Sequence, residues 1–337
     1  MGEIAGGRII TPGRAKEIAK RFFRQETAVL FIVLGAVIGG FGVITSGLSI
    51  TYANMMNVLL QSSMRGVAAI GQAFVILTAG IDVSVGGLGK FIAVLGAGLM
   101  AQNWQNIIGY PMSPYVVIPI MPVVGASIGA LSGLMVSRIG MPALIVTLGM
   151  WQIMYGASFQ ICGGSALSYL PLSVAWVGQG SVGRVPVPVL IFVGICTVGY
   201  FVAQHTSYGR AVYATGGNPV SAWLSGININ NMLFSVYVIS GFLAGLAGVI
   251  MTGRTMSATM RTLDGLELDS IAAATIGGMS LAGGRGSMIG VVLGVIIIGV
   301  INNGMSILGA GPALQGIAKG AIILVAVAID YWRRHRK

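Results

Sequence analysis

Apolar stretches of hydrocarbon length follow one another along most of the chain, separated by short polar breaks. Residues 1–26 are polar and basic, and the run from 27 to about 45 is then apolar throughout. The next, 52–80, opens with Asn54, Asn57 and Gln61, turns apolar after Arg65, and stops at the break Gly80-Ile81-Asp82-Val83-Ser84-Val85-Gly86-Gly87. Further runs extend to about residue 100, then over about 116–136 through Pro119 and Pro122, 143–161 and 189–203. After the longest internal hydrophilic passage, 205–231, come 232–251, a short 270–281, 288–301 and 314–331. Since about 20 residues at ~1.5 Å rise cross a hydrocarbon core of ~30 Å, the pattern predicts an all-α polytopic membrane protein. It has ten legs, the eighth of them short. Residues 1–26 are expected to be a cytoplasmic arm, 27–331 a single transmembrane domain and 332–337 a basic tail.

Composition agrees with the pattern. The chain is 55% hydrophobic and only 8% charged, with a mean hydropathy of +0.89, whereas soluble domains carry about 25% charged residues. Its 53 glycines suit helices that approach closely where lipid supplies no hydrophobic drive. No small-x-small cleavage site follows the first run, so it reads as a crossing and not as a secretory signal.

Charge then orients the legs. A net +11 in a soluble chain would suggest nucleic acid as a partner, but here the placement matters more than the sum. Six basic residues precede the first run (Arg8, Arg14, Lys16, Lys20, Arg21, Arg24) and four close the chain (Arg333, Arg334, Arg336, Lys337). Both ends are therefore expected in the cytoplasm. With ten legs, 13 basic residues fall inside and 3 outside (Arg184, Arg254, Arg261), while Arg65, Lys90 and Lys319 lie in or near crossings, which accounts for all 19. Lys90 and Lys319 are expected to snorkel to an interface. Legs two to five begin outside and legs seven to ten inside, a topology that permits an inverted repeat.

The hydrophilic passage 205–231 holds a short helix with its own signals. Asn218 can cap it, Pro219 suits its first position, and Gly226 suits a left-handed stop. Val220, Ala222, Trp223 and Leu224 offer an apolar side to a partner outside the bilayer.

Catalytic and metal-binding chemistry finds no foothold. Cys162 and Cys196 lie in or beside apolar runs without CxxC spacing, there is no HExxH, and both histidines fall in cytoplasmic stretches. The turn Ala282-Gly283-Gly284-Arg285-Gly286-Ser287 lacks the GxxxxGK[ST] order of a nucleotide loop. A tight turn that holds Arg285 at the inner interface is the better reading, and the chain is expected to bind no cofactor and hydrolyse no ATP. Asp82 has two readings: a proton or sodium site within the membrane, or a cap on the third helix that accepts from Ser84 or Val85 near the inner surface. The lack of a second intramembrane acid favours the cap. Gln72, Thr78, Thr147, Gln152, Gln160, Asn302 and Asn303 are polar and neutral, fit for bonds between helices. Gln72, Thr78, Thr147, Gln152 and Asn303 are also candidates to line a path, and a path without fixed charge would suit a neutral hydroxylated solute.

Three stretches taken together resemble one family. ILTAGIDVSVGG (76–87), TSYGRAVYATGGNPVSAWLSGIN (206–228) and LELDSIAAATIGGMSLAGGRGSMIGVVLGVIIIGVINNG (266–304) are similar to the permease subunits of ribose-type bacterial ATP-binding-cassette (ABC) sugar importers, a group that includes autoinducer-2 permeases. The similarity runs from about residue 52 to 330. It implies a dimer of permeases, two ATPase subunits that carry the ATP and magnesium on the cytoplasmic face, and a soluble binding protein outside. It also implies a coupling helix in the ATPase cleft, formed by Gly216, Gly217, Asn218, Pro219, Ser221, Ala222, Trp223, Leu224 and Gly226. The charged outer segment 252–269 would serve for docking of the binding protein through Arg254, Arg261, Asp264 and Glu267, unless Arg254 and Asp264 merely pair with each other. An ion-coupled secondary transporter working through Asp82, a non-transporting receptor, and an importer of autoinducer-2, a nucleoside or a polyol are the other readings.

Overall fold

Helices form where the apolar runs lie, and their ends fall at glycines, prolines and polar caps. A computed structural model describes residues 26–335 of the chain. Thirteen helices are present among them: α1 Glu26–Ile44, α2 Tyr52–Leu77, α3 Ser84–Met100, α4 Pro114–Leu134, α5 Ala143–Cys162, α6 Ala175–Gln179, α7 Val187–His205, α8 Ser207–Gly217, α9 Pro219–Leu224, α10 Ile229–Thr255, α11 Leu266–Ile276, α12 Met288–Ile307 and α13 Pro312–His335. A π-helical turn, Met135–Ile139, extends α4, and Gly140 stops it in a left-handed conformation. The expected basic arm, apart from Glu26, and the last two residues of the tail lie outside the described residues.

By length and composition, six of the described helices can cross a membrane: α1, α4 with its π-turn, α5, α7, α10 and α12. The remaining expected legs correspond to α2, which is long but polar at its start, and to the shorter α3, α11 and α13. The eighth leg starts at Leu266, four residues earlier than expected, and its 11 residues reach only about 16 Å. The outer passage 162–188 is not wholly irregular. It contains α6 and a small hairpin in which β1 (Ser181–Val182) pairs antiparallel with β2 (Val185–Pro186), so the fold is all-α but for this ornament.

Two apolar cores lie along α10, one shared mainly with α2, α7, α11 and α12 and the other with α3, α4 and α5. The tightest seam joins α4 to α10. On α4, Gly125, Gly129 and Gly133 recur every fourth residue; the first two face Gly241 and Gly245 of α10, and Gly133 faces Phe234 and Tyr237. A Cβ on Gly129 would stand 2.3 Å from the Tyr237 carbonyl, and one on Gly241 2.4 Å from the Gly125 carbonyl. Such close backbones gain dispersion contact that larger side chains would prevent.

Contacts repeat between the halves of the chain. Helix α2 packs on α11 and α12, as α10 packs on α3 and α4; α3 meets α5, as α11 meets α13; and α2 and α10 touch each other.

Candidate functional site

The α2–α3 break is built from polar groups that satisfy one another. The Asp82 carboxylate accepts from Ser84 N–H (3.0 Å), Ser84 Oγ (2.5 Å) and Ser240 Oγ of α10 (2.7 Å). Gln72, with its amide turned so that nitrogen meets carbonyl, donates to the Asp82 carbonyl (2.9 Å) and accepts from the Asp82 N–H (3.2 Å). Thr147 of α5 donates to the Ile81 carbonyl (3.2 Å), and Thr78 donates to that of Val75 (2.9 Å). Asp82 thus caps the third helix, but not near the inner surface. Ser240 lies 11 residues into α10, about 16 Å along it, so α3 begins midway through the bundle. The chain reaches this depth because Gly80 fits against Tyr237 Oη, 2.8 Å from where a Cβ would be. Among the described residues no group of three or more His, Cys, Asp or Glu is arranged to hold a metal.

Of the other polar candidates, Asn303 exchanges two amide bonds with Asn54 (2.8 and 3.0 Å), tying α12 to the start of α2. Gln152 is exposed on α5. Gln72, Thr78, Thr147 and Asn303 are all buried, so Gln152 alone of the five looks outward.

Charged residues inside the bundle do not snorkel. Lys90 pairs with Asp264, and Lys319 of α13 pairs with Asp269 of α11 (2.8 Å), which also receives Arg65 of α2 (3.0 Å). The snorkelling expectation fails because each cation finds an acid at its own depth, and a buried charge is far cheaper when paired. Arg254 and Asp264 do not pair either: Asp264 is taken by Lys90, while the Arg254 carbonyl accepts from Gln179 Nε2 (2.8 Å). Of the outer segment, Arg254 is half-buried and Arg261 exposed. Glu267 turns to α3, its Oε2 only 1.7 Å from where a Cβ on Gly86 would stand.

Between α8 and α10 the chain carries the capped short helix as a well-defined unit. Asn218 Oδ1 accepts from Ser221 N–H (3.0 Å), Pro219 opens α9, and Gly226 closes it at φ 84° with Ile227 N–H donating to the Ala222 carbonyl (3.1 Å). Asn228 then caps α10 through Asn231 N–H (3.0 Å). One face differs from expectation: Ala222 is buried against the body, whereas Val220, Trp223 and Leu224 are 67%, 65% and 73% exposed. Beside Trp223, residues Gly226, Ile227, Asn228, Ile229 and Asn230 line a cavity of about 470 Å³.

Glycines seat this unit on the bundle. Gly284 N–H donates to the Leu77 carbonyl (2.9 Å), and a Cβ on Gly216 would lie 1.8 Å from that same oxygen. Gly284 in turn abuts Gly217, and Tyr213 Oη donates to the Gly286 carbonyl (2.9 Å). The end of α8, the end of α2 and the turn between α11 and α12 therefore meet at one backbone junction. Arg285 stands exposed on that turn, its carbonyl accepting from Ser280 N–H (3.0 Å).

Sequence reasoning missed the aromatic pair beside Lys90. Trp151 and Tyr155 of α5 stack with centroids 5.5 Å apart, and the Lys90 ammonium lies 4.9 Å from the Tyr155 ring centroid. The i, i+4 aromatic spacing and a lone lysine within an apolar run were the available signals.

Comparison with known proteins completes the picture. Residues 54–327 match the family described as branched-chain amino acid transport system / permease component. The chain is 36% identical to the ribose import permease protein RbsC of Escherichia coli K12 over 310 residues, 91% of this chain and 93% of that protein. It is 36% identical to the fructose import permease protein FrcC of Rhizobium meliloti over 318 residues, 92% of this chain and 86% of that protein. It is also 34% identical to the D-allose transport system permease protein AlsC of Escherichia coli K12, over 89% of this chain and 90% of that one. No solved structure matches the chain. A transmembrane bundle of this kind, matched from residue 54 to 327, belongs to the family of branched-chain amino acid transport system permease components.

Proposed function

We propose that the chain is the inner-membrane permease subunit of an ATP-binding-cassette importer for a sugar. It works as a dimer with two ATPase subunits inside and a soluble binding protein outside. Relatives named for ribose, fructose and allose transport, similar over about nine-tenths of this chain, support the sugar. The observation that carries the importer reading is α9. This six-residue helix is capped at both ends and presents Val220, Trp223 and Leu224 outward. It rests on the junction of Leu77, Gly216 and Gly284. An apolar face that none of the described residues covers fits the cleft of an ATPase, and the junction gives ATP-driven motion a route into α2 and α12.

Ten legs with both ends in the cytoplasm form this subunit, and legs two to five repeat legs seven to ten with inverted topology. The matching helix contacts of the two halves support the repeat. Asp82 serves as a cap in this scheme, its carboxylate accepting from one amide and two hydroxyl donors. Arg254 and Arg261 remain the candidates for meeting the binding protein, next to the 162–188 segment that Leu167 bridges to Ala258.

Reconstitution of the complex in liposomes tests the reading. Trp223→Asp is expected to reduce ATP-driven sugar uptake at least about tenfold, the effect of one anchor residue lost from an interface, while the dimer still assembles. Unchanged uptake would sink the coupling role of α9. The family description favours one further reading, an amino acid as solute. ATP-driven uptake of leucine, with none of ribose, fructose, galactose or allose, would establish it.

A further inference from the structure

The importer reading leaves open where within this chain the solute rests, and the middle of the bundle offers a place. Lys90 lies six residues beyond the start of α3, about 9 Å along it, and its ammonium joins the Asp264 carboxylate and the Tyr155 ring face. Tyr155 stacks on Trp151 with an interplanar angle of 19°. Glu267 enters the same turn of α3 through the space left by Gly86, and Gly87 lets the Trp151 backbone approach, with the carbonyl 2.8 Å from where a Cβ would lie. Three separate segments thus deliver two rings, two carboxylates and one ammonium to one spot.

Exposure gives the spot a direction. The Lys90 side chain is 4% exposed and that of Asp264 56%. The ammonium is therefore enclosed while the carboxylate looks out. A carboxylate open at this depth is too costly to face hydrocarbon, so this face meets water or a second protein surface. Stacked rings offer flat apolar contact, and fixed carboxylates accept strong hydrogen bonds from hydroxyls. A sugar ring presents both counterparts, a C–H face and a rim of O–H groups. An anion fits less well, because the one ammonium here is already neutralised by Asp264 and shielded from the opening.

We propose that Trp151, Tyr155, Lys90, Asp264 and Glu267 form a sugar-binding station midway along the translocation path. Lys90 positions the Asp264 carboxylate, and the rings take the face of the sugar.

The test uses the whole complex, with its ATPase subunits and binding protein, in liposomes supplied with radiolabelled ribose, fructose, galactose or allose. Wild-type uptake of none of the four would overturn the sugar reading itself and the station with it. If the wild type imports one of them, Tyr155→Ala is expected to lower its uptake about tenfold, the equivalent of one lost binding contact. Stimulation of ATP hydrolysis by the binding protein should meanwhile stay within about twofold of the wild type, because the coupling junction is untouched. Unchanged uptake overturns the station. If Tyr155→Ala loses both activities, the near-isosteric Asp264→Asn and the smaller-ring Trp151→Phe decide. Altered relative uptake among the four sugars in either variant supports the station, and wild-type uptake of all four in both overturns it.

Discussion

Asp269 shows how much one side chain settles in this bundle. Its carboxylate is 4% exposed and holds Arg65 through one oxygen and Lys319 through the other, so three helices converge on a single acid. Removing the acid leaves two half-buried cations without their shared partner, whereas removing Lys319 leaves the Arg65 pair intact. Asp269→Asn is therefore expected to destabilise the protein by about 1–3 kcal/mol, and Lys319→Gln by clearly less. Thermal unfolding of the purified protein in detergent measures both, and equal losses would refute the shared-acid arrangement. These charges also mark where sequence stops being legible. The cap at Asp82 could be read locally, since its partner Ser84 is two residues away. The partner of Lys90 lies 174 residues away, and no local pattern announces it, so a lysine in an apolar run reads as a snorkelling one.

At the scale of elements, spacing carries the information. Glycines recur every fourth residue on α4, a spacing that lets a neighbour come close, but nothing local names the helix they face. The structure identifies it as α10. Gly129→Leu is expected to part the two helices and abolish recovery of monodisperse protein, because the added side chain would begin 2.3 Å from the Tyr237 carbonyl. Gly149→Leu, on an open face of α5 with no atom within 4 Å of its Cβ position, serves as control and should keep the protein folded. Gel filtration and unfolding temperature distinguish the two, and equal behaviour would refute the seam. The short helix α9 was legible in nearly every detail, from the Asn218 cap to the Gly226 stop, because capping chemistry is local. Which side of it faces the bundle was not, since that depends on α8 and the α2 terminus. Ala222 turned out to be its inner residue.

For the whole molecule, hydropathy located the crossings but could not judge the short ones. Helix α11 is too brief to span hydrocarbon alone, and its standing as a leg decides the side on which Arg285 emerges. In a variant whose Cys162 and Cys196 are replaced by serine, a cysteine at position 184 is expected to react with a membrane-impermeant maleimide from outside. A cysteine at position 285 should react only once the inner side is opened. Outside labelling at 285 would remove a leg from the count and place the α11–α12 turn on the wrong face for α9. The depth of the charged residues escaped sequence reading for a related reason. Helices α3 and α11 both start partway through the bundle, so residues next to a loop in sequence end up far from either surface.

The junction beneath α9 is made of backbone. Where Leu77, Gly216 and Gly284 meet, no side chain stands between the strands of main chain, and so nothing there can yield by changing rotamer. A contact of this kind transmits displacement as a rigid linkage and not as a spring. On the coupling reading, a push on α9 passes through the end of α8 to the end of α2 and to the turn before α12, one in each half of the chain. A methyl group at Gly216 would therefore change the timing between the halves as well as their spacing.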